Sequence, residues 1–418
     1  MNYVWAKTTK ETGFFGNTNP VELVEKYGSP LYVYNEMIFR QRCREMRDLV
    51  SYKNFVVNYS VKANTNISLL KIAKEEGLHV DVVSTGEIYI CKKAGFKPED
   101  IFYVSNNASA EELQYAINEG VLTSVDSITQ LELFGKLNPG GEIAIRLNPG
   151  VGAGHHQKVI TAGKKTKFGI ELRFVDDVKE IVKKYNLKVV GINQHVGSLF
   201  MDGQSFIEAV EAVVEAAKQF EDLKFIDLGG GYGIPYKKQD GEKSIDLKEL
   251  GERVDRRISK LVENYGRDIY FKIEPGRYIS AECGVLLGSA YAVKTNYEYK
   301  YIGTDLGFNV LVRPVMYGSH HDIEIYRKSD QKSEKKETVR IVGNICETGD
   351  IIAKDRELPE IFEGDIIGVM DAGAYGFTMS SNYNSRLRPA EVLITKNGSD
   401  VLVRRRDTFE DLVKNYEL

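Results

Sequence analysis

Between residues 56 and 273 the chain repeats one pattern: a short β-branched run, a stretch with helical periodicity, then another such run. The strand-like runs are Val56–Tyr59, Val80–Val83, Ile101–Val104, Leu122–Val125, Ile143–Leu147, Val189–Asn193, Phe225–Leu228 and Tyr270–Ile273. In the stretches between them, Phe206, Ile207, Val210, Val213, Val214 and Ala217 share one helix face, as do Leu247, Leu250, Val254, Ile258 and Leu261. About eight strand–helix units over ~250 residues match a (β/α)8 barrel, with a doubly wound open sheet as the alternative. The barrel is preferred because distinctive residues follow nearly every strand. In a barrel those ends converge on one mouth.

After Ser280 the texture changes. Val285–Ala292, Tyr299–Thr304, Glu324–Tyr326, Thr338–Val342, Asp365–Val369 and Glu391–Ile394 read as strands without long helices between them, which predicts an antiparallel β domain. A chain of 418 residues is long for one domain. The expected division is a TIM-like barrel over 31–280 and a β domain formed by 1–30 with 281–418. Near the start, Pro20 to Tyr27 has a helical pattern, Leu31 to Tyr34 reads as a strand, and Asn35 is placed to cap the helix that follows. Lys328–Lys336 reads as a charged, solvated loop.

Composition narrows the class. With 56 Lys and Arg against 60 Asp and Glu, the net charge of −4 argues against nucleic acid or an anionic membrane as the main partner. Cys43, Cys91, Cys283 and Cys346 are far apart and form neither a disulfide framework nor a zinc motif. No run approaches a membrane span and the start has no signal-like apolar stretch, so a cytoplasmic enzyme is expected.

The strand ends carry the chemistry. Asn58-Tyr59-Ser60-Val61-Lys62-Ala63-Asn64 closes the first strand, and a desolvated lysine there can form a Schiff base with a carbonyl, although a solvated loop lysine has the same local pattern. Asp81 and Glu87 lie within and after the second strand, and Arg146 with Asn148-Pro149-Gly150 ends the fifth. His195-Val196-Gly197-Ser198 follows the sixth, Gly229-Gly230-Gly231-Tyr232-Gly233 the seventh, and Glu274-Pro275-Gly276-Arg277 the eighth. Backbone N–H groups of a glycine run can cradle an anion, and the usual barrel phosphate site lies between the loops after strands seven and eight. A flexible turn is the plainer reading of that run. It is neither a GxGxxG nor a Walker sequence, so a dinucleotide or ATP is not favoured. His195 suits either a ligand-facing role or a satisfied core position. Glu274 at the end of a buried strand needs a partner, which a protonated pyridine nitrogen would supply. Adjacent His155 and His156 in the loop after strand five suit a mobile surface loop better than a metal site, and no metal is expected.

Together these residues resemble the fold-type III pyridoxal-phosphate decarboxylases, nearest their diaminopimelate branch, over almost the whole chain. The resemblance identifies Lys62 with the Schiff-base lysine, His195 with the ring-stacking histidine, and Ser198, Gly230, Gly231, Gly276 and Arg277 with the phosphate site. It pairs Glu274 with the pyridine nitrogen and puts Asp81 and Glu87 in support. In the second domain, Cys346-Glu347-Thr348-Gly349-Asp350 is similar to a segment inserted into the neighbouring subunit's site, and Tyr375 in Asp371-Ala372-Gly373-Ala374-Tyr375-Gly376 to a tyrosine meeting cofactor and substrate. Arg313-Pro314-Val315-Met316-Tyr317 is similar to the substrate-binding arginine and tyrosine, Asn148 to Gly169 to a loop of the same branch, and Asn382 to Glu391 to a further branch pattern.

The resemblance implies decarboxylation of meso-2,6-diaminopimelate to L-lysine and CO2 with pyridoxal 5'-phosphate. Cys346 would donate a proton to the α-carbon. Arg277, Arg313, Tyr317 and Tyr375 would bind substrate, the arginines at its distal carboxylate, and Glu347 its distal ammonium. A homodimer with shared sites follows. The rivals are a decarboxylase of ornithine, arginine or carboxynorspermidine, a racemase of the same fold, and a non-catalytic regulator. Arg313 and Glu347 argue against the first group, Cys346 and the 148–169 loop against the second, and intact Lys62, Glu274 and Cys346 against the third.

Overall fold

The computed structural model describes residues 2–148, 150, 153–154, 166–195, 197–265, 268–328 and 335–417. The chain divides into two compact units, one of Arg40–Ile234 with Ser244–Ile279, the other of Met1–Phe39, Pro235–Lys243 and Ser280–Leu418.

The first unit is a closed parallel barrel. Its strands are β1 Phe55–Ser60, β2 His79–Val82, β3 Ile101–Val104, β4 Leu122–Val125, β5 Glu142–Asn148, β6 Lys188–Asn193, β7 Phe225–Asp227 and β8 Tyr270–Ile273. They pair in chain order, and β8 returns to β1, with Phe271 beside Phe55 and Ile273 beside Val57. Closure excludes the open doubly wound sheet. Since all the strands run one way, their C-terminal ends share one mouth.

Local chemistry sets each β-to-α turn. Asn66, Ser84, Ser109 and Ser127 cap successive helices, accepting from the backbone N–H of Ser68, Glu87, Glu112 and Gln130. Each such cap satisfies an otherwise orphaned donor and stabilises its helix by about 1 kcal/mol. The helices Gln204–Ala217 and Leu247–Tyr265 follow the expected apolar stripes, burying Phe206, Val210 and Val213 on the first and Leu250, Val254 and Ile258 on the second. In β6, Gly191 leaves room for the Phe225 ring, which meets Phe102 edge to face at 5.4 Å.

The second unit is a ten-stranded sheet. Strand Gly284–Asn296 is its spine, antiparallel to Leu31–Asn35, Ile366–Val369 and Tyr299–Thr304. Most pairings are antiparallel, as expected, but Leu31–Asn35 runs parallel to Ala390–Ile394, and Tyr299–Thr304 to Lys336–Val342. Alternate residues of neighbouring strands, Leu31 and Val33, Val285 and Leu287, Val392 and Ile394, fill one core with Phe14, Phe15, Leu23 and Tyr326. Asn35 closes its strand and accepts from Ile38 N–H at 3.0 Å, the expected cap.

The division differs from the expected one in three places, the smallest being Ser280, which begins the last segment of the β unit rather than ending the barrel. Residues 31–39, expected to open the barrel domain, belong to the β unit, because Leu31–Asn35 is hydrogen-bonded inside that sheet. Pro235–Lys243, from the middle of the barrel's sequence, also groups with the β unit. Among the described residues no helix is long and apolar enough to cross a membrane.

Candidate active site

The polar residues of the barrel gather at the strand ends. Lys62 sits on the short turn Val61–Ala63 directly after β1, and its Nζ lies 3.2 Å from Asp81 Oδ2. Asp81 is 1% exposed, whereas the Lys62 side chain keeps 35% of its surface. Ser60 Oγ lies 2.9 Å from Asp81 Oδ2 and 3.0 Å from the Glu274 carbonyl oxygen, so the first, second and eighth strands are tied by one hydroxyl. Burial pushes the Asp81 carboxyl up, a rise that the Lys62 charge only partly offsets.

His195 follows β6. The Gly230 N–H donates to its Nδ1 at 3.2 Å. Burial, then the charges of Lys62 and Arg146, holds the imidazole well below its ordinary range, so it is neutral with Nδ1 as acceptor. Its 3.5 Å approach to Glu274 Oε2 is therefore not an ion pair. Glu274 is 3% exposed, and its Oε1 has no hydrogen-bond partner among the described residues. Burial raises its carboxyl, with Lys62 and Arg146 pulling the other way.

The glycine run is packed tightly. A Cβ on Gly229, Gly230 or Gly231 would strike the carbonyl oxygens of Gln194, Glu274 and Gly197 respectively. Gly229 and Gly231 also have φ of +79° and +111°, a region that side chains resist. The Gly229 carbonyl accepts from Glu274 N–H at 3.0 Å, which locks this turn to the loop after β8. Beside it, Arg277 donates from two nitrogens to Ser198 Oγ, at 2.8 and 3.2 Å. Gly276 leaves room for Ser60 and Ala63, since its Cβ would sit 3.0 Å from theirs.

These features fit pyridoxal phosphate. A lysine amine, a neutral imidazole, a buried carboxylate oxygen without a donor, and a side-chain-free turn beside an arginine and a serine are groups that suit its aldehyde, ring, pyridinium nitrogen and phosphate.

Asp227 and the Ser124–Asn193 pair were not predicted. Asp227 ends β7 fully buried, accepts from Gly229 N–H at 2.9 Å and from Asn58 Nδ2 at 3.4 Å, and lies within reach of Glu274. Burial, then the Glu274 charge, holds its carboxyl well above the usual range. Ser124 Oγ donates to Asn193 Oδ1 at 2.6 Å. The available signal was a single polar residue inside an apolar run, as in Phe225-Ile226-Asp227-Leu228. Glu87 is half-buried and accepts from Val83 N–H at 2.8 Å, and burial brings its carboxyl to about 7. Arg146 is buried over the Phe168 ring at 4.6 Å.

The remaining expected residues lie in the β unit. Arg313 and Tyr317 bracket one short helix, and Arg313 is 1% exposed. Cys346 is exposed, its N–H bonded to Asn384 Oδ1 at 3.1 Å, while the other three cysteines are buried. Tyr383 donates to Glu347 Oε1 at 2.7 Å. Tyr375 has φ of +55°, rare for an aromatic residue. His155 and His156, and most of the 148–169 loop, lie outside the described residues, as does most of the expected charged loop 328–336.

Residues 37–281 match the model for the pyridoxal-dependent decarboxylases, pyridoxal binding domain. The chain belongs to this family of pyridoxal-dependent decarboxylases. Within it the chain groups with the diaminopimelate decarboxylases. It is 43% identical to the diaminopimelate decarboxylase of Methanothermobacter thermautotrophicus, across 96% of this chain and 94% of that one. It is 39% identical to that of Aquifex aeolicus, across 94% and 93%. The crystal structure of the Helicobacter pylori diaminopimelate decarboxylase complexed with L-lysine superposes with a TM-score of 0.86 at 30% identity, over 95% of this chain and 98% of that one.

Proposed function

We propose that this chain decarboxylates meso-2,6-diaminopimelate to L-lysine and CO2. The observation that carries the reading is the cluster of Lys62 and His195 with the buried Asp81 and Glu274 around the barrel's strand ends, in a chain so similar to diaminopimelate decarboxylases over nearly its full length.

When bound, pyridoxal phosphate supplies an electron sink for the charge left at the α-carbon as CO2 departs. Lys62 holds the cofactor through its amine, and Asp81 orients that amine. Glu274 would keep a proton on the pyridine nitrogen, that positive charge together with Lys62 and Arg146 opposing the burial that raises its carboxyl. Neutral His195 would lie against the cofactor ring without adding a competing charge. Ser198, Gly230, Gly231, Gly276, Arg277 and Tyr375 hold the phosphate. Arg277, Arg313, Tyr317 and Tyr375 contact substrate. Arg277 and Arg313 read its distal carboxylate, for which planar guanidinium suits best, and Glu347 reads the distal ammonium. Cys346 delivers a proton to the α-carbon. The assembly is a cytoplasmic homodimer in which Cys346 and Glu347 serve the neighbouring subunit's site.

The test is CO2 release by the cofactor-loaded protein from meso-diaminopimelate beside lysine, ornithine and arginine. Turnover confined to diaminopimelate is expected. Preference for ornithine or arginine would overturn the assignment.

A further inference from the structure

Arg313 does not sit alone in the β unit. Its NH1 lies 2.8 Å from His321 Nε2, and His321 Nδ1 lies 2.7 Å from the Met370 carbonyl oxygen. Both residues are 1% exposed. A carbonyl only accepts, so Nδ1 must carry the imidazole proton. A guanidinium only donates, so Nε2 must offer its lone pair. The two contacts are satisfied together only by the neutral, Nδ1-protonated tautomer. Protonating Nε2 would aim one N–H at another beside a buried cation. Arg356 reinforces this from a further strand, donating to the His321 carbonyl at 2.9 Å. Tyr236 completes the frame: the Arg313 guanidinium stands 4.5 Å from its ring centroid, and the His321 ring meets it edge-on at 5.2 Å.

We infer that His321 is a positioning residue for substrate recognition: as a neutral acceptor anchored on the Met370 carbonyl, it fixes the Arg313 guanidinium in the orientation that reads the distal carboxylate. The inference rests on the substrate-binding role proposed for Arg313. The physical reason for such a device is rotamer freedom. An arginine side chain ordered only on binding weakens affinity, whereas one already immobilised by an acceptor and a ring face does not.

The experiment compares His321→Leu, His321→Gln and Arg313→Ala, with the double variant Arg313→Ala/His321→Leu, all loaded with pyridoxal phosphate. Glutamine can accept from Arg313 and donate to Met370 with one amide. His321→Leu should raise KM for meso-diaminopimelate about three- to tenfold with kcat nearly unchanged, and His321→Gln should restore most of the loss. On the Arg313→Ala background His321→Leu should add no further rise in KM. Nitrogen-15 spectra of His321 in the wild-type protein should report Nδ1–H. Wild-type KM in His321→Leu, an undiminished rise on the Arg313→Ala background, or an Nε2–H signal overturns the positioning role alone. An unchanged KM in Arg313→Ala overturns the substrate reading of Arg313, and the positioning role with it.

Discussion

At the residue scale, Lys62 is distinguished by its surroundings. Its amine is held 3.2 Å from a buried carboxylate while part of the side chain stays open. Lys62→Ala should fold, abolish turnover and lose the visible absorption of lysine-bound cofactor. Near-normal activity with that band intact would remove Lys62 from the chemistry. Glu87 gives a pH prediction. Burial raises its carboxyl from the ordinary 4.5 to about 7, so the folded chain keeps a proton that the unfolded chain has lost between those values. The contribution is complete below pH ~4.5 and disappears as pH rises through about 7. Urea unfolding of the cofactor-free protein at pH 5 and pH 7.5 should therefore show a larger stability drop in the wild type than in Glu87→Gln. Equal drops would mean that Glu87 titrates as an exposed glutamate does.

At the scale of elements, the barrel delivers function through the turns after its strands. Those turns after β6, β7 and β8 are bonded to one another: Gly230 to His195, Gly229 to Glu274 and to Asp227. A side chain in this knot has nowhere to go. Gly230→Ala would press its Cβ onto the Glu274 carbonyl and within 3.2 Å of His195 Cε1. Overpacking of this kind costs about 1–3 kcal/mol. We expect cofactor affinity to fall roughly tenfold or more, measured by absorbance titration of pyridoxal phosphate. Wild-type affinity would show that the turn is not the phosphate cradle.

At the scale of the whole molecule, shared sites are testable by mixing. Lys62→Ala chains and Cys346→Ala chains should each be inactive. In a mixed dimer with shared sites, one site carries both defects and the other neither. Equal random mixing should restore about a quarter of wild-type activity, given severe single defects and independent sites. No recovery despite demonstrated subunit exchange would assign Lys62 and Cys346 to the same chain's site. Cys346 suits this role among the four cysteines because it alone is exposed, while burial pushes the thiols of Cys43 and Cys91 up.

Much of this molecule was legible without coordinates, for a local reason. Strand and helix periodicities belong to consecutive residues, so all eight barrel strands and helix Pro20–Tyr27 could be located from spacing alone. The residues closing those strands could be named for the same reason, because the chemistry-bearing segments are short and contiguous. Strand Ile351–Pro359 escaped because Lys354, Asp355, Arg356 and Glu357 interrupt its apolar pattern, which its antiparallel pairing with Lys336–Val342 overrides. Leu31–Asn35 was legible as a strand but not as a member of the β unit, since its partners lie about 250 and 360 residues further along. The sequence by itself thus determined the repeating units, their order and which polar residues close the barrel strands. Only the tertiary structure decided which side chains meet: Asp227 beneath the glycine turn, and His321 against Arg313. Such pairings are set by contacts between distant segments in a packed interior, and periodicity carries no record of them.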